Sequence, residues 1–469
     1  MRYLKTVTPS EEQLKIVTRV RAGVELIRGA AGSGKTTTAI LRLKLLLLGA
    51  QARRQRVGST EPVRALVLTY NTTLRGYIRQ IVTDNSTASP TVKVPVEVTV
   101  DTFSRWALRR TETGSVTDYK APLKQLALLN ASKIGLAADV VEDEAWYAIC
   151  RFMPEDLDDY LAKTRVGRGN APRVDGPIRQ ALLDLVVRPY IAAKDLRDEL
   201  DWNDLAVLMA RTAYETYDII IVDESQDFTA NMIRGVLKQR DDEGSTTFII
   251  DTAQRIYTGG FTWSEVGLVI RPEASHRLHV NYRNTPEIAK LAASLINLVT
   301  LDEDGTQPQL AGLEVNRRPA VLRGNYLDQM AWCIHYIKTE VNLATESVAF
   351  LHPQGWFRDL RNALPRAGLE YVEITKSREW PDGDENIALS TIHSAKGLDF
   401  DHVIIIGLDN SALPGGEEAL GDDKFDHACR LISMAIARAR ISVVLGYDPN
   451  RKSAIVARLD PTAYDEVAI

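Results

Sequence analysis

Unbroken apolar runs, separated by amphipathic stretches, recur along most of the chain. Val24-Glu25-Leu26-Ile27, Ala65-Leu66-Val67-Leu68-Thr69-Tyr70, Tyr217-Asp218-Ile219-Ile220-Ile221-Val222 and Thr247-Phe248-Ile249-Ile250 read as strands. Runs this apolar suit strands covered on both faces, as in a parallel sheet flanked by helices. Val96-Glu97-Val98-Thr99-Val100 is a further strand, and Leu74 opens a short helix after Tyr70. Thr37-Thr38-Ala39-Ile40-Leu41 starts a helix that takes in Leu45, Leu46, Leu47 and Leu48. Residues 49–62 are polar, carry Arg53, Arg54 and Arg56, and read as a surface loop. From 104 to 199 the strand signal fades and helical patterns dominate, as at 119–129 and 176–191. Past 320 short strands return at Val321-Leu322, Val348-Ala349-Phe350-Leu351, Tyr371-Val372-Glu373-Ile374, Ile387-Ala388-Leu389 and Val403-Ile404-Ile405-Ile406. A helix over 427–440 carries Arg438 and Arg440, and Ser442-Val443-Val444-Leu445 is the last predicted strand.

The pattern predicts an α/β fold of two lobes, each a mainly parallel sheet flanked by helices, with a helical insertion in the first. The expected division is 1–104 and 200–274 for the first lobe, 105–199 for the insertion and 275–469 for the second lobe. The crossing between lobes is expected within 272–279. Thr285 with Pro286 after it reads as a helix start.

Composition narrows the class. The 469 residues are 45% hydrophobic and 25% charged, which fits a globular chain with ample core. A formal net charge of -5 excludes a uniformly basic coat, so any nucleic-acid contact must be a local patch. One candidate is the stretch 163–173, with Lys163, Arg165, Arg168 and Arg173; a plain surface loop is the other reading. Cys150, Cys333 and Cys429 form no C-x-x-C pair, and a reducing cytoplasm is the expected setting. The Leu45 to Leu48 run is too short to span a membrane, so no membrane partner is expected.

The chemistry gathers at strand ends. Gly29-Ala30-Ala31-Gly32-Ser33-Gly34-Lys35-Thr36 lies between a strand and a helix and fits G-x-x-x-x-G-K-[ST]. Such a loop turns backbone N–H groups and a helix N-terminus toward phosphate. Lys35 would reach the β/γ-phosphates, and the Thr36 hydroxyl would help hold Mg²⁺. Asp223-Glu224-Ser225-Gln226-Asp227 follows a buried strand. Asp223 is a candidate metal ligand and Glu224 a candidate base for water. Gln13 closes a capping box begun at Ser10, or reads adenine through its carboxamide. Tyr70 and Phe103 are either stacking platforms for bases or ordinary core aromatics. Asp251-Thr252-Ala253-Gln254 ends the next strand, where Gln254 either touches both a γ-phosphate and a neighbouring group or belongs to a plain surface turn.

Taken in order, these motifs resemble the UvrD/Rep-like branch of superfamily 1 DNA helicases. The resemblance runs from Gln13 through Gly29 to Thr36, the acidic run at Asp223, and Asp251-Thr252-Ala253-Gln254-Arg255-Ile256-Tyr257. It continues through Asn281-Tyr282-Arg283, Thr391-Ile392-His393-Ser394-Ala395-Lys396-Gly397-Leu398-Asp399-Phe400 and Met434 to Arg440. It implies two RecA-like P-loop lobes, ATP and Mg²⁺ as cofactors, and single-stranded or tailed duplex DNA as partner, with movement 3′ to 5′. Gln13 then becomes an adenine reader and Tyr282 stacks on the base. Arg283 and Arg438 reach the γ-phosphate as arginine fingers in cis. Gln254, Lys396 and Gly397 couple the nucleotide to the DNA track. DNA contacts are implied at Tyr70, Asn71, Thr102, Phe103, Tyr257 and His393.

The sequence also departs from that pattern. Thr37 stands where the family has an arginine packed on the base, and Asp399 replaces the glutamate near the ribose. Ala437 replaces a threonine before the final arginines. Few residues separate Arg283 from Thr391, so the second-lobe insertion of most family members is expected to be missing. A compact form of this kind points to a protein partner, such as a nuclease or a repair or defence factor. It also raises an alternative: a DNA-stimulated ATPase switch that gates a partner and unwinds little itself.

Overall fold

The computed structural model describes residues 9–469 apart from 30–31, 71–74, 77, 80–93, 167–171, 251–259, 282, 297–308, 311–316, 376–380, 382, 412 and 414–422. Ala30, Ala31, Asn71, Gln254, Tyr257 and Tyr282 fall outside the described residues, as does most of the short helix expected after Tyr70.

The first sheet has six strands: β1 (Gly23–Gly29), β2 (Val63–Thr69), β3 (Val96–Thr102), β4 (Tyr217–Val222), β5 (Arg240–Ile250) and β6 (Ser275–Leu278). Their order is β3-β2-β4-β5-β1-β6, and every pairing is parallel. Successive residues of each strand face opposite layers. Leu26, Leu66, Ile220 and Phe248 pack with Phe103, Trp106 and Ile233, while Ile27, Val67, Ile221 and Ile249 pack with Leu43 and Leu46. Both faces are therefore dry, which is why these strands lack polar alternation.

A short parallel pair follows, β7 (Val280–Asn281) with β8 (Gln309–Leu310). The second sheet holds β9 (Ala320–Arg323), β10 (Val348–His352), β11 (Val372–Glu373), β12 (Ile387–Thr391), β13 (Phe400–Ile405), β14 (Ala439–Tyr447) and β15 (Asp465–Ala468). Its order is β11-β12-β10-β13-β14-β9-β15, again all parallel. The fold is α/β, with two parallel sheets flanked by helices, as the pattern predicts.

Between β3 and β4 the described elements are helical, and they carry their own core around Leu123, Val141, Tyr147, Leu182 and Tyr190. This unit docks through Asn231 on the first-lobe helix Ala230–Lys238. The Asn231 amide donates to the carbonyls of Ile149 (3.1 Å) and Phe152 (3.0 Å).

Five local expectations change. The helix behind the glycine-rich loop runs over Lys35–Arg56, through much of the stretch expected as loop. Residues 50–56 are good helix formers, and Gln51 is buried, its amide 2.7 Å from the Val94 carbonyl. Arg54 turns inward to Asp218 at 2.6 Å. Ser275–Leu278 pairs with β1, so the crossing to the second lobe lies beyond it. The helix Asp423–Ile436 stops before Arg438, which sits in the turn leading to β14, and Arg440 lies on β14. β15 adds a strand after the expected last one, where Asp465 and Glu466 had masked it. Arg165, one of four candidate backbone-tracking cations, pairs instead with the buried Glu144 at 2.9 Å.

One buried charge network positions the phosphate-loop helix. Arg42 on that helix meets Glu25 of β1 at 2.8 Å, both fully buried, and also donates to the Ile16 carbonyl at 2.9 Å. The helix Glu11–Val17, which carries Gln13, is thus fixed to the helix behind the loop.

Candidate functional site

The loop after β1 turns at Gly32 (φ +77°) and Gly34 (φ +74°). A Cβ on Gly34 would lie 2.4 Å from Gln13 Nε2, and one on Gly32 would lie 2.0 Å from Asn281 Oδ1. Glycine is needed twice over, for left-handed backbone and for close approach. Gly34 then caps Lys35–Arg56, whose N-terminal turn presents N–H groups and positive dipole. Ser33 is fully buried, and its hydroxyl has no hydrogen-bond partner among the described residues. An unsatisfied buried donor beside a helix N-terminus suits an anion such as phosphate.

Around this cradle the predicted residues converge. Lys35 Nζ donates to the Gly29 carbonyl at 2.8 Å, so its ammonium lies folded across the loop. The Thr36 hydroxyl donates to Asp223 Oδ2 at 2.8 Å. Thr37 sits half-buried in the same turn. Gln13 serves two contacts at once: its Oε1 accepts from Ser10 N (2.9 Å), completing the capping box, and its Nε2 donates to the Ser33 carbonyl (3.0 Å).

β4 delivers the acidic pair two strands away from β1. Burial and the adjacent Glu224 charge push the Asp223 carboxyl up to about 7. Glu224 is buried too, but the charges of Lys396, Arg438 and Lys35 outweigh that and hold it below the usual carboxylate range. Glu224 also adopts φ +53°, a left-handed backbone that costs about 1–2 kcal/mol for a residue with a Cβ. Its side chain accepts from the Gln226 amide. A hard oxygen pair on Thr36 and Asp223, with Asp223 poised to lose a proton, fits Mg²⁺.

The second wall comes from beyond the first sheet. Asn281 Oδ1 accepts the backbone N–H groups of Arg283 (2.9 Å) and Asn284 (3.1 Å). The Asn284 amide donates to the carbonyls of Ala437 (3.2 Å) and Ala439 (2.6 Å). Arg283 donates to the Ala437 carbonyl at 3.3 Å and forms an ion pair with Asp399 at 2.7 Å. Arg438 is 3% exposed, and its Nε donates to the Met434 carbonyl at 3.3 Å. Gly397, at φ +82°, follows Lys396. Lys396 itself is buried between the lobes, bonded to Asp227 and 3.5 Å from Glu224.

The residues expected to touch DNA divide. Thr102 ends β3 half-buried, and Tyr70 is half-buried edge-on to Phe228 at 6.2 Å. Phe103 is 2% exposed, packed edge-on to Trp106 (5.7 Å) and Phe228 (6.0 Å). The expectation that it stacks on a base is corrected: Phe103 starts the helix Phe103–Arg110 and gives its ring to the core. His393 is half-buried, 6.4 Å from the His427 ring, and burial followed by the charges of His427 and Lys396 pulls it down to about 4.

Sequence reasoning missed the part played by Asn284, which has no signal of its own beyond sitting three residues after Asn281. It placed Lys396 in a coupling motif but not against Asp227.

Two parallel α/β lobes, one ending a strand in a glycine-rich phosphate loop, define the RecA-like P-loop architecture. Residues 336–448 match the UvrD-like helicase C-terminal domain, which supports placing the chain with the UvrD-like superfamily 1 helicases. The second lobe thus points to a helicase-type ATPase family. No curated protein matches the chain. Among the described residues no helix is long and apolar enough to cross a membrane.

Proposed function

We propose that the chain is an ATP-dependent motor that moves along single-stranded DNA, in the cytoplasm, 3′ to 5′ by resemblance. The observation that carries this reading is the cleft. Lys35, Thr36, Asp223 and Glu224 stand on one side, and Arg283 and Arg438 approach from the other. Mg²⁺, held by Thr36 and Asp223, would offset phosphate charge. Glu224, kept ionised by Lys396 and Arg438, orients and deprotonates the attacking water. Lys35, Arg283 and Arg438 stabilise charge on the transferring phosphoryl. Gln13 borders the adenine side, since its carboxamide already lies against Gly34. Tyr282, Gln254, Gly397 and Asp399 keep the roles that the resemblance gives them. The helices between β3 and β4 form the insertion, and the second lobe begins after Leu278.

The test is DNA-stimulated ATP hydrolysis with Glu224→Gln as control, followed by strand separation on duplexes with 3′ or 5′ tails. Hydrolysis unaffected by Glu224→Gln sinks the catalytic assignment. Stimulation by single strands without strand separation favours the partner-gating switch.

A further inference from the structure

β10, an interior strand of the second sheet, ends at His352, and the chain turns sharply there before the helix Arg358–Arg366. On that turn Trp356 is 55% exposed, the most open indole among the described tryptophans. An exposed indole forgoes a large burial gain, so its position calls for a reason. The turn is held from beneath. His352 Nδ1 accepts the backbone N–H groups of Gln354 (3.0 Å) and Trp356 (3.3 Å). Gly355 takes φ +73°, and Phe357 is anchored in the core at 3% exposure. The His352 ring backs the indole at 5.3 Å. The platform is therefore presented in a fixed pose, with little entropy left to lose on binding.

Its neighbours decide what it receives. A Cβ on Gly355 would lie 3.0 Å from Thr391 Cγ2, and Ile392 N donates to the His352 carbonyl at 3.2 Å. The turn thus lies against the stretch that carries His393. Arg358, two residues on, has a side chain that is 92% exposed, with Asp359 no nearer than 3.8 Å. A rigid aromatic beside an open guanidinium matches a base and its phosphate in a single strand.

We propose that turn 354–358 is a strand-binding site of the second lobe, with Trp356 stacking on a base and Arg358 facing a phosphate. This rests on the single-strand motor reading and adds a contact that the sequence motifs do not include. It also supplies the aromatic that Phe103, buried in the core, does not.

The test uses the full chain and a labelled oligothymidylate, without nucleotide. Trp356→Ala should weaken binding about 5- to 150-fold, the range for losing one base–aromatic stack. Trp356→Phe should keep most of the affinity. Arg358→Ala should lower the slope of log affinity against log salt by about 0.7, as for one phosphate of a single strand, and Trp356→Ala should leave it unchanged. DNA-free ATP hydrolysis and melting temperature should match wild type in all three. Wild-type affinity in Trp356→Ala overturns the proposal and leaves the indole as a protein contact. Wild-type protein that binds no oligonucleotide at all defeats the motor reading itself, a separate result.

Discussion

Arg283 and Asp399 form an ion pair at 2.7 Å, so the guanidinium that would reach a γ-phosphate is held by a carboxylate of the second lobe. Recruiting Arg283 to phosphate means exchanging that partner. Asp399→Asn removes the competing charge, and DNA-free ATP hydrolysis should rise several-fold. Arg283→Ala should lower kcat by about 10³-fold or more, the low end for an arginine finger. Steady-state kinetics on both variants checks the pair; an unchanged Arg283→Ala rate removes Arg283 from the mechanism.

Lys396 and Asp227 are both buried, and each is the other's charge partner across the lobes. Lys396→Met removes the cation that bridges the buried carboxylates of Asp227 and Glu224 and should cost about 3–5 kcal/mol. Lys396→Met with Asp227→Leu should recover most of the loss. Lys396→Met should also raise the Glu224 pKa, because Lys396 is the leading charge holding it down. The acid limb of the hydrolysis profile should then move to higher pH. Denaturant melts of the single and double variants, with the pH profile of the double, test both parts.

Asp223, held at about 7, must lose its proton to bind a cation. Mg²⁺ affinity of the nucleotide complex should therefore fall as pH drops through about 7, with proton release on binding near neutrality. Calorimetry in two buffers of different ionisation enthalpy measures that release. Identical heats after correction for Mg²⁺ binding to free nucleotide would show that Asp223 is already ionised.

His352 is pulled down to about 4 by burial, only partly opposed by Asp409. Its Nδ1 accepts two N–H groups, so the folded state needs the neutral ring. The folded value lies below the ordinary value near 6.5. Its contribution is thus complete above about pH 6.5 and is lost as pH falls toward 4, amounting to about 3 kcal/mol. His352→Asn keeps an acceptor that does not titrate, so it should flatten the fall in melting temperature between pH 7 and 5. An equally steep fall in the variant assigns the loss to other groups.

Much of the site is legible in local pattern. The glycine spacing, the apolar runs of β1 and β4 and the acidic pair after β4 each need only their own neighbours in sequence. What local pattern misses is partner choice. Phe103 and Tyr70 look alike as aromatics after strands, yet only the packing of Trp106 and Phe228 buries Phe103 completely. Gly49 reads as a loop signal, but Val20 packs against it and the helix continues to Arg56. Arg438 continues a helical pattern, and the pull of β14 on the next residue ends the helix first. Lys396 meets Asp227 only when two lobes close, which no single stretch of sequence encodes.

The small amide of Asn284 spans the Ala437 and Ala439 carbonyls, on either side of Arg438. One residue before it stands Arg283. The two guanidiniums are thus riveted to a single bracket, although 154 positions separate Arg283 from Ala437 in the chain. A hinge movement that brings one toward the phosphate loop carries the other with it. On the proposed reading, charge from the second lobe would therefore arrive as a matched couple, with hydrolysis timed by one swing instead of two.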